Sequence, residues 1–336
     1  MSNAGSAEPD TDSAEPDTGA TAAGARLPAR ILDAHHHFWD LTAAHYPWLS
    51  DEVDPHYFLG DYAALRIDRR LPDDYRRATT DLNVVGTVHC EAERNRGDQV
   101  GETRWLAELN RTTGLPTAMV AHVWFDDPDC DQLLAEHLAA SPLVRGIRSK
   151  PVTSLTPETM VRGGPRSMQD PAWLRGFALL DRYGLSWDLR VPYWHLPDAA
   201  EVAKAFPDTP IVLNHTGFPW DRSTDGIARW REAMRVIAAQ PNVWLKVSEL
   251  GLKDARWTVE SNRGVVCDAL SIFGLERCMF ASNWPVCELT VSYRDLVHGL
   301  CDILADLDDE ARDRFFYRNA AAFYRVRAAN ITEAAH

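Results

Sequence analysis

The chain has 336 residues, 45% of them hydrophobic, and 49 acidic against 35 basic side chains, for a formal net charge of -14 at pH 7. That length and apolar share suit one large domain or two small ones with a sizeable core and exclude disorder throughout. With no basic block to follow a phosphate backbone, and no apolar run near the roughly 18 residues of a spanning helix, neither nucleic acid nor membrane is expected as a partner.

Residues 1–26 contain the direct repeat SAEPDT and almost no large apolar side chain. Such a composition cannot bury enough surface to offset chain entropy, so a disordered acidic tail is expected there. It lacks the basic start and apolar middle of a secretory signal. The six cysteines form no C-x-x-C pair, which suits reduced thiols in the cytoplasm.

From Leu27 onward short apolar or β-branched runs alternate with longer amphipathic ones, the pattern of parallel strands joined by helices. Eight strands are expected, at 30–34, 84–90, 117–123, 143–148, 185–190, 210–215, 243–248 and 278–283. Helical patterns lie between them, several ending at a glycine. Eight such units predict a (β/α)8 TIM barrel over 27–330 as a single domain, with some distortion allowed; a doubly wound sheet is disfavoured because no G-x-G-x-x-G follows the first strand. The segment 38–83, with HYPWLSDEVDPHYFLGDY, reads as an insertion able to cap the barrel mouth.

In such a barrel the residues just past each strand converge on one pocket. Here they are His35 and His37, His89 and Glu91, His122 and Trp124, Arg148 and Lys150, Asp188 and Arg190, Asn214 and His215, Ser248 and Glu249, and Asn283 and Trp284. A packed core does not need so many ionisable groups, and their density points to an active site. Alternation along a strand sets His35 and His37 on one face and His36 on the other. Two imidazoles on one face can share a divalent metal or bracket an anionic group. His89 and Glu91 share a face and are expected together in the pocket. Lys246 either pairs with a buried carboxylate or reaches the site.

The runs LDAHHHFWD, VHCEAERNRGDQVGETRWL, VRGIR, PIVLNHTGFPWDRS, NVWLKVSELG and RCMFASNWPV together resemble the amidohydrolase-2 branch of the amidohydrolase superfamily. The likeness is to its sugar lactonase group, which includes L-fuconolactone and 2-pyrone-4,6-dicarboxylate lactonases, and it covers about residues 30–326. It implies a (β/α)8 barrel and a hydrolase acting on a cyclic ester, a sugar lactone or a carboxylated one. It also implies candidate metal ligands at His35, His37 and His215. The chain departs from the pattern after the fifth strand, where no histidine stands and His195 lies too far along the loop. It departs again after the eighth, where Asn283 replaces an aspartate. An amide takes no proton at neutral pH and is a poor zinc ligand, so a binuclear centre is not expected; a single zinc, or no metal at all, is compatible with the group.

Opening a lactone requires an activated water, a polarised carbonyl and a proton for the leaving oxygen. His215 is expected to polarise the carbonyl or move a proton, with Asn283 beside it, and Glu91 or Glu249 to replace the missing aspartate as base. Arg148, Lys150 and Arg190 are expected to bind a carboxylate or hydroxyls, and His89, His122 and Trp284 to complete the substrate wall. The competing readings are a metal-dependent decarboxylase and a non-catalytic small-molecule binder. Nothing in the sequence sets the oligomeric state, and a homo-oligomer stays open.

Overall fold

The computed structural model describes residues 26–326, and the tail expected over 1–26 falls outside it apart from Arg26. Ten strands occur among the described residues: β1 (Ile31–His36), β2 (Trp39–Asp40), β3 (Arg69–Arg70), β4 (Val84–Cys90), β5 (Ala118–Ala121), β6 (Val144–Ile147), β7 (Ser186–Leu189), β8 (Ile211–Leu213), β9 (Val243–Val247) and β10 (Cys278–Phe280). Eight of them form one sheet in the order β1-β4-β5-β6-β7-β8-β9-β10, with every neighbouring pair parallel. These are the eight predicted runs. Buried on both faces, such strands read as apolar stretches of a few residues. Helices such as Gln99–Thr113, Thr224–Ala238 and Val259–Phe273 connect them. The first ends at Gly114, whose φ of 79° is the left-handed geometry that glycine adopts without a side-chain clash.

The sheet closes past the end of β10. His36 bridges to Trp284 in parallel, Asn283 N donates to His35 O at 2.8 Å and His37 N to Trp284 O at 2.8 Å. Asp33 clasps this seam. Its carboxylate accepts from Ser282 N (2.9 Å), Ser282 Oγ (2.6 Å), His35 N (3.2 Å) and Tyr75 OH (2.9 Å). A register irregularity between Asp33 and His36 accompanies the clasp. Leu32 and Ala34 pack with Val88, Val120, Val212 and Met279 in the barrel interior, yet His35 also turns inward, towards Lys246 of β9. Asp33→Ala should leave buried amide and hydroxyl donors unpaired and cost roughly 3 kcal/mol. A thermal melt is expected to show a drop of roughly 5–10 °C.

Two further pieces complete the frame. At the closed end Tyr317, Ala320, Phe323 and Tyr324 pack beneath the interior side chains. At the open end the insertion builds its own small core from Trp39, Tyr46, Leu49, Leu59, Tyr62 and Leu65, seated on Ala92 after β4 and Val286 after β10. The segment 38–83 therefore caps the mouth, as its sequence suggests. No described helix is long and apolar enough to cross a membrane.

Candidate active site

A recess of about 410 Å³ opens at the C-terminal mouth of the barrel, walled by His37, Arg148, Arg190, His215 and Asn283, with Trp48, Tyr57 and Phe58 of the insertion on its outer side. Past the strands that feed it, non-glycine residues stand in the left-handed region: Glu93 (φ 60°), His215 (φ 59°), Glu249 (φ 47°) and Asn283 (φ 59°). Each such turn costs on the order of 1–3 kcal/mol and persists only where the surroundings impose it. Here β8, β9 and β10 each end with one, so three polar side chains are turned towards the same mouth.

The histidines sit close together. His35 Nε2 and His37 Nε2 are 3.2 Å apart, and the His35 and His215 ring centroids are 4.7 Å apart. His37 Nδ1 lies 2.8 Å from the Cys90 carbonyl oxygen; a carbonyl only accepts, so Nδ1 carries the hydrogen. His215 Nδ1 meets Ser248 Oγ at 3.1 Å. Burial lowers all three rings well below the usual histidine range, with the charges of Lys246 next for His35, Arg148 for His37 and Arg190 for His215. They are neutral at physiological pH.

The two carboxylates expected as alternative bases separate cleanly. Glu91 is bound by Arg148 Nε at 2.7 Å and by Arg96 Nη1 at 2.8 Å. Burial alone would raise it, but the charges of Arg148 and Arg96 win and hold it well below the usual carboxylate range. It is a fixed counter-ion. Glu249 accepts only from Asn283 Nδ2 among the bonds resolved, and burial pushes it up to about 7 against the opposing pull of Asn283 and Arg190. That is where a general base works best near neutral pH.

Glu91→Gln should strand the buried Arg148 cation and cost on the order of 3–5 kcal/mol. The pH sign follows from the lowered pKa. Glu91 stabilises the fold above the ordinary carboxylate range, and that contribution is lost as pH falls. Denaturant titration should therefore show the variant weaker at pH 7 and less sensitive to acidification than the parent.

The cations also differ. Arg148 lies against Glu91, and Lys150 pairs with Glu93 further out, where Asp54, His56 and Tyr62 widen the mouth. The Arg190 guanidinium stacks at 5.0 Å from the Phe218 ring centroid and 5.7 Å from that of Phe58. Among the described residues no carboxylate pairs with it, and burial lowers it to about 10. It lines the recess.

Other expected wall residues lie elsewhere. His89 is in register with His36, so both face away from the recess; the His89 ring packs at 5.9 Å from Phe38, and burial lowers it to about 3. The shared face expected for His89 and Glu91 fails because β4 ends at Cys90, after which Glu91 turns to Arg148. His122 bonds Gln99 Oε1 through Nδ1 at 2.7 Å and is a core histidine. Trp284 is 1% exposed and packs against Tyr75 on the helix side. His195 tethers the loop after β6 through Ser154 N at 2.9 Å, outside the recess as its spacing implies. Sequence reasoning overlooked Asp33, Cys90 and Glu93; a charged residue inside an apolar strand was the available signal for Asp33.

Two groups bear on a metal. His35, Cys90 and Asp188 bring ligand atoms within 4.8 Å of one another, ligand types and spacing that can hold one. Lys246 Nζ, however, already lies between them, 2.5 Å from Asp188 Oδ2, 3.4 Å from Cys90 Sγ and 3.4 Å from His35 Nδ1. The second group is His35, His37 and His215 with Asn283, where the amide is a weak ligand for zinc and Lys246 again approaches His35. Lys246 therefore competes with a divalent cation for all three ligands of the first group and approaches one ligand of the second.

The amidohydrolase family model matches residues 32–326. The uncharacterized protein y4mH of Sinorhizobium fredii is 38% identical over 296 residues, covering 88% of this chain and 98% of its own. An L-fucono-1,5-lactonase of Burkholderia multivorans is 30% identical over 298 residues, 84% of this chain and 91% of that one. Among solved structures, an amidohydrolase from Burkholderia multivorans with bound zinc superposes with a TM-score of 0.71 at 26% identity, covering 89% of this chain and all of the other.

Proposed function

This chain belongs to the amidohydrolase family, and from that premise we propose that it hydrolyses a cyclic ester, a sugar lactone or a carboxylated lactone, in the barrel-mouth recess. The observation that carries the reading is the convergence of His215, Asn283, Arg148 and Arg190 on one recess, with the Glu249 carboxyl behind Asn283 raised to about 7. The lactonase relative supports the reaction class.

The chemistry needs only this chain's own groups. The Glu249 carboxylate takes a proton from the attacking water as its oxygen bonds to the carbonyl carbon. Arg148 and Arg190 offer N–H donors to the oxygen that gains charge. When the ring C–O bond breaks, the departing alkoxide receives that proton back from protonated Glu249, and the product hydroxy acid releases one proton to solvent. Trp48, Tyr57 and Phe58 exclude water from the outer side of the ring and give it an apolar face. Six unpaired cysteines, five of them buried, fit a reducing compartment such as the cytoplasm.

The test is a pH-indicator assay over a panel of sugar and carboxylated lactones, with carbon dioxide measured in parallel. Acid release without carbon dioxide supports the reading. Carbon dioxide release would replace it with a decarboxylase, and absence of turnover across the panel would favour a binding protein.

A further inference from the structure

The barrel centre holds a buried lysine that the hydrolytic scheme does not use. Lys246 and Asp188 are both 0% exposed, and Tyr324 OH donates to both Asp188 oxygens at 3.0 Å. An ammonium has three hydrogens and no lone pair. Three acceptors surround this one: Asp188 Oδ2, Cys90 Sγ and His35 Nδ1. Space for the cluster is set by Gly146 of β6, where a Cβ would fall 2.3 Å from Ser186 Oγ and 3.5 Å from Asp188 Oδ1.

The direction of each hydrogen then follows. Because Lys246 can only donate, His35 Nδ1 must accept, and in a neutral imidazole the hydrogen sits on the other nitrogen. His35 Nε2–H therefore points at His37 Nε2, 3.2 Å away. His37 Nε2 accepts, since its own hydrogen is on Nδ1 and directed to the Cys90 carbonyl; Asn283 Oδ1, 3.2 Å from the same nitrogen, is an acceptor too and gains no hydrogen from it in this tautomer. The two ends of this chain, an obligate donor and an obligate acceptor, agree on the orientation of both rings between them.

We propose that Lys246 is a positioning residue whose ammonium stands in place of a metal beneath the H-x-H pair and fixes His35 and His37 each in a single tautomer. A divalent cation on the pair needs the His35 Nε2 lone pair, which would move the hydrogen to Nδ1 and set it against the Lys246 hydrogens. The lysine thus orients the pair and opposes metal binding to it. The consequence for turnover rests on the proposed hydrolytic reading; the tautomers and the metal affinity do not.

Long-range ¹H–¹⁵N spectra of histidine-labelled, chelator-dialysed protein test this, with His35→Gln and His37→Gln assigning the signals. His35 should be protonated at Nε2 and His37 at Nδ1. In Lys246→Met the His35 signal should shift to the other tautomer or to an average. Cobalt(II) titration followed by visible absorption should show at least tenfold tighter binding to Lys246→Met than to the parent, while Lys246→Arg keeps the parent's weak binding. A His35 protonated at Nδ1 in the parent, or a parent that binds cobalt(II) as tightly as Lys246→Met, overturns the proposal. Should Lys246→Met not fold, the parent spectrum decides by itself. Loss of lactone turnover in every form with these tautomers intact would count against the hydrolytic reading alone.

Discussion

Glu249→Gln is expected to lower kcat by about 10²–10⁴-fold, the usual contribution of a positioned general base, and to remove an inflection near neutral pH from the rate profile. In the parent, burial raises Glu249 to about 7, so the carboxylate form, and with it the rate, grows as pH rises through that value. The stability effect has the opposite sign. A carboxyl whose pKa is raised by folding favours the folded state at low pH, and that contribution is lost as pH rises through the raised value. Replacing it with an amide removes a buried charge at alkaline pH while keeping the side-chain length. At pH 8 the variant should melt no lower than the parent although its turnover has collapsed. A melt that falls in step with activity would mean that Glu249 is structural, and an unchanged rate profile would return the base role to another group.

The same residue shows how much of the site can be read from the sequence. Every barrel strand was legible, because strands sandwiched between a packed interior and a shell of helices must be short and apolar, and the runs from Ile31 to Phe280 say so. The list of residues past their ends was legible too. Which of them reach the recess was not, because alternation stops where the strand stops. His215, Glu249 and Asn283 are aimed by left-handed turns that no periodicity encodes. His89 keeps strict alternation and is carried away from the recess with His36. The irregularity at Asp33–His36 turns His35 inward beside Ala34, a shift visible only once the seam with Ser282 is known. Likewise Glu91 and Glu249 are equivalent as letters. Two arginines fix one of them as a counter-ion, and their absence leaves the other free to titrate.

Substitution of Arg190 should produce the second large effect, on substrate capture. The guanidinium lies over Phe218 and Phe58 with no carboxylate partner among the described residues, in a recess whose other charged wall residues, Arg148 and Glu93, are already paired with Glu91 and Lys150. A hydrogen bond to a charged group contributes about 1.5–3 kcal/mol, so Arg190→Gln should lower kcat/KM by roughly 10–100-fold, mainly through KM. Arg190→Lys separates charge from shape. A point charge retains attraction to a carboxylate but loses the paired donors of the planar fork. If the preferred substrate is a carboxylated lactone, the lysine variant should recover most of the loss on it; if the preferred substrate is an uncharged sugar lactone, whose hydroxyls depend on donor geometry, lysine should recover little. Equal kcat/KM for the parent and Arg190→Gln on every lactone tested would remove Arg190 from the binding scheme and leave Arg148, already engaged by Glu91, as the cation at the carbonyl.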